Sequence, residues 1–329
     1  MKKKYFIGLI TILFLVSGLL FAAGEKEPQS GIAWPTKPIQ LVVPYAPGGD
    51  TDIFGRVVAT GVQEVLGKPV VVVNITGAGG TVAAREVRDS NADGYTILWM
   101  QPNLLLNKIT GIADFSFEAF EGIATSISTK TTVLVTGENS RFNNMEDLKK
   151  EMLSNPGGVK FATQVGGYTH LTALAIENAV GSKFKKLDVG GNTDQVAALL
   201  GGHVDLMTME YGIGKDYIES GKVKVLANLA NERSSMIPHV PTAHEQGINL
   251  GLGFEKVFFT LFPKGTPKEI IEKFNDAVSK GIVSEKAKAD LAKFYATPDY
   301  RNAEDSYLFL ESQMKYYESM QDLLKSDTF

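Results

Sequence analysis

The sequence predicts an α/β protein with two lobes and a ligand-binding cleft between them. Three observations lead to this fold class. Short β-branched apolar runs alternate with helix-like segments, which is typical of sheets covered by helices. The first two runs each lead into a glycine-rich turn. The alternation starts again near residue 145, and a long apolar run at residues 254–262 then returns the chain to the first lobe.

The first strand is predicted for Ile39–Val43, a short β-branched run bounded by prolines. Gly48 and Gly49 follow it. Glycine lets the backbone turn sharply and lets a ligand approach the main chain. The next residues, which are good N-caps for a helix, are Asp50, Thr51 and Asp52. Backbone N–H groups at such a turn attract an anion. An ordinary strand-to-helix turn is the alternative interpretation.

A second strand-to-helix junction repeats this design. The apolar run 70–73 leads into the segment Gly77-Ala78-Gly79-Gly80-Thr81 and then into a helical pattern. Because ligands bind at the carboxyl ends of parallel strands, the two glycine-rich loops are expected to face one cleft. A nucleotide phosphate is disfavoured, since no G-x-G-x-x-G is present and no Lys-Ser or Lys-Thr follows the glycines. The pattern therefore favours a small anion.

The N-terminus has the pattern of a secretory signal peptide. Lys2, Lys3 and Lys4 precede an apolar stretch at residues 5–21, and small residues then lead to an expected cleavage after Gly24. An uncleaved segment that serves as an anchor is the alternative. Loss of three lysines and no acids lowers the formal net charge from −4 to −7. An acidic exported protein is a poor nucleic-acid binder, and without cysteine it forms no disulfide.

The expected organisation has five parts. Residues 1–24 form the signal peptide, 25–33 a linker, 34–136 the first part of lobe 1, 137–254 lobe 2, and 255–329 the return to lobe 1. The chain is expected to cross between lobes just after a strand at residues 131–136. In the return segment, Thr266 is expected to cap a helix with Pro267 at its first position, and the remainder is expected to be helical.

These motifs together resemble the extracytoplasmic solute receptors of tripartite tricarboxylate transporters, the Bug family. The motifs that carry the resemblance are Trp34-Pro35-Thr36-Lys37-Pro38-Ile39, Pro44-Tyr45-Ala46-Pro47-Gly48-Gly49 with Thr51-Asp52, Gly77-Ala78-Gly79-Gly80, Asp93-Gly94-Tyr95, His170-Leu171, Gly201-Gly202-His203-Val204-Asp205, Pro238-His239-Val240-Pro241-Thr242 and Pro263-Lys264-Gly265-Thr266-Pro267. The resemblance implies a two-lobed periplasmic binding protein of type II-like topology. Such a receptor closes on a small carboxylate and delivers it to membrane permease subunits.

The resemblance also implies which residues bind the ligand. In lobe 1 these are Tyr45, Ala46, Gly48, Gly49, Asp50, Thr51 and Asp52 on one loop and Ala78, Gly79 and Gly80 on the other. In lobe 2 they are Gly166, Gly167, Tyr168, Thr169 and His170, together with Gly190 and Asp205. Gly167 stands where the family has a serine. Asp188 and Val189 fall where the family prefers aromatic and basic residues, so the far end of the ligand is expected to differ.

Several alternatives remain at this stage. The same clamp could serve as a sensor for a membrane signalling partner, and an exported enzyme acting on a small acid ranks last. No cofactor or metal is expected, because Pro238 and Pro241 disfavour a helical ligand pair at His239 and His244. The protein is expected to be a monomer. Its solute is left open among dicarboxylates, tricarboxylates, amino acids and aromatic acids, and Asp52 is a candidate partner for a ligand amine.

Overall fold

The computed structural model describes residues 32–251 and 253–325. The predicted signal peptide and most of the predicted linker lie outside these residues. The strands in chain order are β1 Ile39–Val43, β2 Val70–Asn74, β3 Thr96–Met100, β4 Phe120–Thr129, β5 Thr132–Gly137, β6 Lys160–Thr163, β7 Lys185–Asp188, β8 Leu206–Glu210, β9 Val223–Asn228, β10 Lys256–Pro263 and β11 Ala296–Arg301.

Helices connect and cover these strands. In chain order they are α1 Asp50–Leu66, α2 Thr81–Arg88, α3 Asn103–Ile109, α4 Met145–Ser154, α5 Tyr168–Val180, α6 Asn192–Leu200, α7 Tyr211–Glu219, α8 Lys268–Ile282, α9 Glu285–Lys293, α10 Ala303–Glu318 and α11 Gln321–Lys325. Short 3₁₀ turns lie at Ala78–Gly80 and Phe117–Ala119. Within the described part of the chain, no helix has the length and apolar character that crossing a bilayer requires.

The strands form two separate sheets. The first has six strands in the order β11-β4-β10-β3-β1-β2, and the second has five in the order β7-β6-β8-β5-β9. In the first sheet, β1 pairs in parallel with both β2 and β3, so that Leu41 lies between Val72 and Ile97. The carboxyl ends of β1, β2 and β3 therefore meet at one edge, as the sequence predicted.

The centre of the first sheet is sealed by aromatic packing. Trp99 stacks on Phe258 at 5.9 Å between ring centroids, and Phe54 meets Phe258 edge-on at 5.0 Å. Phe254 and Phe259 are also fully buried. The indole N–H of Trp99 donates to the carbonyl oxygen of Thr51 at 2.8 Å. This bond ties the start of α1 to the core strand β3.

Several local predictions were wrong. The strand Thr132–Gly137 pairs with β8 and β9, so the crossing between sheets precedes it, near residues 130–131. The segment Ala296–Arg301, expected to be helical, forms an edge strand on β4. The helix Asn103–Ile109 was missed because nearly all of its residues are buried, which removes the helical period from the sequence.

The strand Leu206–Glu210 is buried along its whole length, including a carboxylate. The start of the helix in the return segment differs from the prediction. Thr266 does not cap α8, since its hydroxyl donates to the carbonyl oxygen of Pro263 at 2.8 Å. That helix begins at Lys268, and Pro267 precedes it without a side-chain cap.

Candidate ligand-binding cleft

A cleft of about 690 Å³ lies between the two sheets. From the first sheet it is lined by the loops that follow β1, β2 and β3. From the second sheet it is lined by the loops after β6 and β7 and by Thr208 in β8. The position matches the expectation that ligands bind at the carboxyl ends of parallel strands.

The first glycine-rich loop leaves the start of α1 uncapped. Gly48 has φ of +88°, which glycine adopts without strain. Gly49 is the N-cap residue and offers no side-chain acceptor to the first turn. Asp50, Thr51 and Asp52 were expected to be caps, but they are the first three helical residues. The N–H groups of Gly49 and Asp50 have no acceptor among the described residues and remain available at the cleft.

Asp52 holds this loop from behind rather than facing the cleft. Its carboxylate accepts from Arg56 at 2.9 and 3.0 Å, from Asn74 Nδ2 at 2.9 Å and from the N–H of Gly48 at 3.0 Å. Partial burial raises the pKa of Asp52, but the hydrogen bonds from Arg56, Gly48 and Asn74 outweigh it and hold the pKa below its ordinary value. Asp52 thus fixes the shape of the loop as a carboxylate.

Asp50 faces the cleft and belongs to a buried ion triad. One of its oxygens accepts from the N–H and hydroxyl of Thr51, and the other accepts from Lys256 Nζ at 2.7 Å. Lys256 Nζ also lies 3.4 Å from Glu210 Oε1. Burial raises the pKa of Asp50, but Lys256 and the hydrogen bonds from Thr51 together lower it by more. The pKa of Asp50 is therefore below its ordinary value. Asp50 thus stays charged.

Lys256 completes this triad from the second crossing of the chain. It is the first residue of β10, whereas Glu210 is the last residue of β8 in the other sheet. Burial lowers the pKa of Lys256, but the charges of Asp50 and Glu210 raise it above its ordinary value. Sequence reasoning missed Lys256. Its only signal was a lysine placed beside an apolar strand.

The second glycine-rich loop has a backbone that glycine alone accepts easily. Gly79 and Gly80 have φ of +64° and +93°, and a Cβ on Gly79 would lie 2.9 Å from Asn107 Oδ1. The carbonyl oxygen of Gly79 accepts from Tyr45 Oη at 3.1 Å and from Asn107 Nδ2 at 3.0 Å. Within the described chain, the N–H groups of Ala78 and Gly79 have no acceptor. Two pairs of unpartnered N–H groups thus line one cleft.

Tyr45 links the two loops. Its hydroxyl donates to Gly79 and accepts from Asn103 Nδ2 at 2.8 Å and from Gln101 Nε2 at 3.1 Å. Burial raises the pKa of Tyr45 well above its ordinary value, so the hydroxyl is neutral. Gln101 and Asn103 follow β3 directly. The rule that located the glycine loops, applied to this third strand end, would have found them as well.

Asn103 joins the two lobes. Its Nδ2 also donates to Gln164 Oε1 at 2.8 Å, and its Oδ1 accepts from the N–H of Tyr168 at 2.8 Å. Gly167, the N-cap residue of α5, has no capping side chain. Asn103 therefore caps α5 from the opposite lobe.

The other predicted residues of lobe 2 divide into two groups. Tyr168, Thr169 and Gly190 line the cleft, and Gly190 belongs to a wall at the carboxyl end of β7 whose other residues were not predicted to bind the ligand. This wall consists of Asp188, Gly190, Gly191, Asn192, Thr193, Asp194 and Gln195. It lies close to lobe 1, because Thr193 Oγ1 is 3.5 Å from the carbonyl oxygen of Pro47.

Some predicted residues stand outside the cleft lining, namely Gly48, Asp52, Gly166, Gly167, His170 and Asp205. His170 is buried, and its Nδ1 accepts from the N–H of Gly166 at 3.1 Å, which shapes the loop before α5. Asp205 accepts from the N–H of Lys160 at 2.8 Å and faces a different cavity. The sequence motifs that contain these residues stabilise the loops rather than line the cleft.

No group of His, Cys, Asp and Glu in the described residues has the arrangement of a metal site. His239 instead lies with its Nε2 3.1 Å from the hydroxyl of Tyr211.

Two α/β lobes around a cleft of glycine-rich loops define the class of two-lobed periplasmic binding proteins. The chain belongs to the family described as "Tripartite tricarboxylate transporter family receptor", whose model matches residues 54–323. Both the predicted family and the predicted fold class are therefore confirmed.

The relatives agree with this assignment along most of the chain. Protein BugT of Bordetella pertussis is 32% identical over 300 residues, which cover 88% of this chain and 92% of that protein. The structure of the periplasmic binding protein BugD is similar with a TM-score of 0.83 and 26% identity, covering 89% of this chain and 99% of that one. MatC from Rhodopseudomonas palustris with bound malate has the same fold, with a TM-score of 0.79, 24% identity and coverage of 88% and 100%.

Proposed function

We propose that this protein captures a small carboxylate in the cleft and delivers it to the membrane permease subunits of a tripartite tricarboxylate transporter. One observation carries the proposal: the unpartnered N–H groups of Gly49, Asp50, Ala78 and Gly79 converge on one cleft. Such groups hold an anion with charge-assisted hydrogen bonds, which strengthen when closure excludes water. The family of transporter receptors supplies the expected partner.

Three features of the assignment rest on the same reasoning. The protein acts outside the cytoplasm, where its signal peptide directs it, and it works as a monomeric receptor. The family of transporter receptors supports a receptor rather than an enzyme. A sensor for a membrane signalling partner would use the same closed clamp, and neighbouring permease or kinase genes separate these two roles.

The two lobes are proposed to close about the segments that cross between the sheets. Lobe 1 is built from β1–β4 with the returning β10 and β11, and lobe 2 from β5–β9. Asn103 and Thr193 make contacts between the lobes, which separation of the lobes would break. Hinged closure of this kind buries a ligand between rigid bodies.

Thermal shift measurements test the carboxylate assignment. The protein is purified after export of the full-length chain, unfolded and refolded to remove any bound solute, and then heated with each of a panel of organic acids and amino acids. A ligand that binds only the folded state raises the melting temperature. The absence of a shift in melting temperature with every carboxylate of the panel would contradict the proposal.

A glycine variant locates the binding site. A Cβ on Gly49 would have no contact closer than 3.9 Å, to Ala46 O and Asn192 Cβ, so Gly49→Val is expected to fold. The two methyl groups would fill the gap between the lobes beside the unpartnered N–H groups, so the ligand-induced shift should disappear. Gly137→Val is the matched control, because its nearest contact is also 3.9 Å and it lies outside the cleft. Retained binding in Gly49→Val would refute the loop assignment.

A further inference from the structure

The cleft carries more negative than positive charge, which opposes a ligand with two carboxylates. Among the described lining residues, the acids are Asp50, Asp188 and Asp194, and the only cation is Lys256. Lys256 already contacts Asp50 at 2.7 Å and Glu210 at 3.4 Å, so its charge is balanced within the protein. No described cation pairs with Asp188 or Asp194. These two carboxylates therefore set the sign of the field on the wall of lobe 2.

Three polar side chains of this wall surround Gly190. Asp188 Oδ1 lies 3.4 Å from the N–H of Gly190, and Asp194 Oδ2 lies 2.9 Å from the place that a Cβ on Gly190 would take. Gln195 Nε2 donates to the carbonyl oxygen of Gly190 at 2.8 Å. These contacts place both carboxylates and the Gln195 amide around one residue of the cleft lining.

The amide oxygen of Gln195 lacks a donor. The side chain is 1% exposed and lines the cleft, its Nε2 is used by Gly190, and no described residue donates to its Oε1. A buried acceptor without a partner is destabilising. A donor on a ligand that reaches this oxygen would satisfy it, and a carboxylate would not. This observation is independent of the two acidic side chains and favours the same ligand chemistry.

The helix that begins at this wall does not reverse the preference. The N-terminus of α6 attracts anions through its free N–H groups, and Gly191 gives it no capping side chain. Asp194 stands in its first turn, where a carboxylate offsets the positive end of the helix. With Asp188, two exposed carboxylates share the wall with one helix N-terminus.

This wall faces the loop that is proposed to hold the carboxylate. A Cβ on Gly191 would lie 3.9 Å from the ring of Tyr45, and Thr193 reaches Pro47. The cleft thus has the unpartnered N–H groups of the glycine-rich loops on the lobe 1 side and two carboxylates without a cation partner on the lobe 2 side. A solute that spans it needs an anionic end and a cationic end.

We propose that the solute is a zwitterion, a small carboxylate that also carries a protonated amine, with the ammonium group bound by Asp188, Asp194 and Gln195. The inference rests on the proposed function, since the carboxylate end uses the glycine-rich loops. It selects the amino carboxylates from the acids that the sequence leaves open.

Matched ligand pairs test the inference. In β-alanine, 4-aminobutyrate and 5-aminovalerate, an ammonium group replaces one carboxylate of succinate, glutarate and adipate, respectively. Calorimetric titration of the refolded protein with all six compounds, at low and at physiological salt, should show one amino carboxylate binding at least ~10-fold more tightly than its diacid partner. The chain length of the best ligand reports the spacing between the two ends.

Variants of the wall identify the cause. Asp188→Asn combined with Asp194→Asn should weaken binding of the amino carboxylate about tenfold and leave diacid binding unchanged or stronger. Asp216→Asn is the control, because this exposed acid of lobe 2 lies outside the cleft lining.

Tighter binding of the diacids, or unchanged amino carboxylate affinity in the double variant, overturns the inference while the proposed function stands. Failure of both ligand series to bind overturns the inference, and the carboxylate proposal falls with it when the wider panel of organic acids and amino acids also gives no thermal shift.

Discussion

Lys256 shows how a single residue far along the chain determines the chemistry of the first loop. Its ammonium group stands between Asp50 and Glu210, which come from different lobes. Without this cation, two carboxylates would remain buried with no opposite charge. Breaking a buried ion pair by removing one partner is strongly destabilising, because desolvation of the remaining charge is no longer offset.

We therefore expect Lys256→Met to lower the free energy of unfolding by about 3–5 kcal/mol, measured by urea denaturation. Lys150→Met is the control, since Lys150 forms an exposed pair with Glu146 and its loss should leave stability nearly unchanged. Should Lys256→Met fail to fold, the double variant with Asp50→Asn should recover part of the loss. An unfolding free energy that matches wild type in Lys256→Met would contradict the role of the triad.

The elements of the first lobe were predictable where their signals are local. A strand followed by two glycines and a helix pattern is contained in adjacent residues, so β1, β2 and the loops after them were located correctly. Lys256 was not, because the bond to Asp50 joins residues 206 positions apart. The helix Asn103–Ile109 was missed for a related reason: burial on all sides removes the alternation on which periodicity depends.

Helix α5 depends on the opposite lobe for its cap, which couples local stability to closure. Asn103→Ala should therefore lower the free energy of unfolding of the ligand-bound protein by ~1 kcal/mol and also weaken ligand affinity. Asn144→Ala is a matched control. Asn144 Oδ1 caps α4 by accepting from the N–H of Asp147 at 2.9 Å, in a part of lobe 2 outside the cleft.

The control should lose similar stability and keep its affinity, measured by urea denaturation and calorimetric titration. Equal affinity in the two variants would show that the Asn103 contacts do not stabilise the closed form.

At the scale of the whole molecule, the same contacts describe a closed clamp. Asn103 reaches Gln164 and Tyr168, and Thr193 reaches Pro47, so loops of both sheets meet around the cleft. Each lobe has an apolar core of its own, and a third apolar cluster contains buried residues of both lobes, among them Leu98 and Leu171. Relative motion of the lobes has to break the polar contacts around the cleft, and a bound solute would oppose that motion by bridging the lobes.

Small-angle X-ray scattering tests this coupling. Protein freed of its solute should have a larger radius of gyration than the same protein saturated with the ligand found by calorimetry, because ligand binding shifts the population toward the closed form. Asn103→Ala should shift the protein without ligand further toward the open form, whereas Asn144→Ala should scatter like wild type. An identical radius of gyration with and without ligand would mean that the lobes are already held closed, and that solute enters through local motion of the glycine-rich loops.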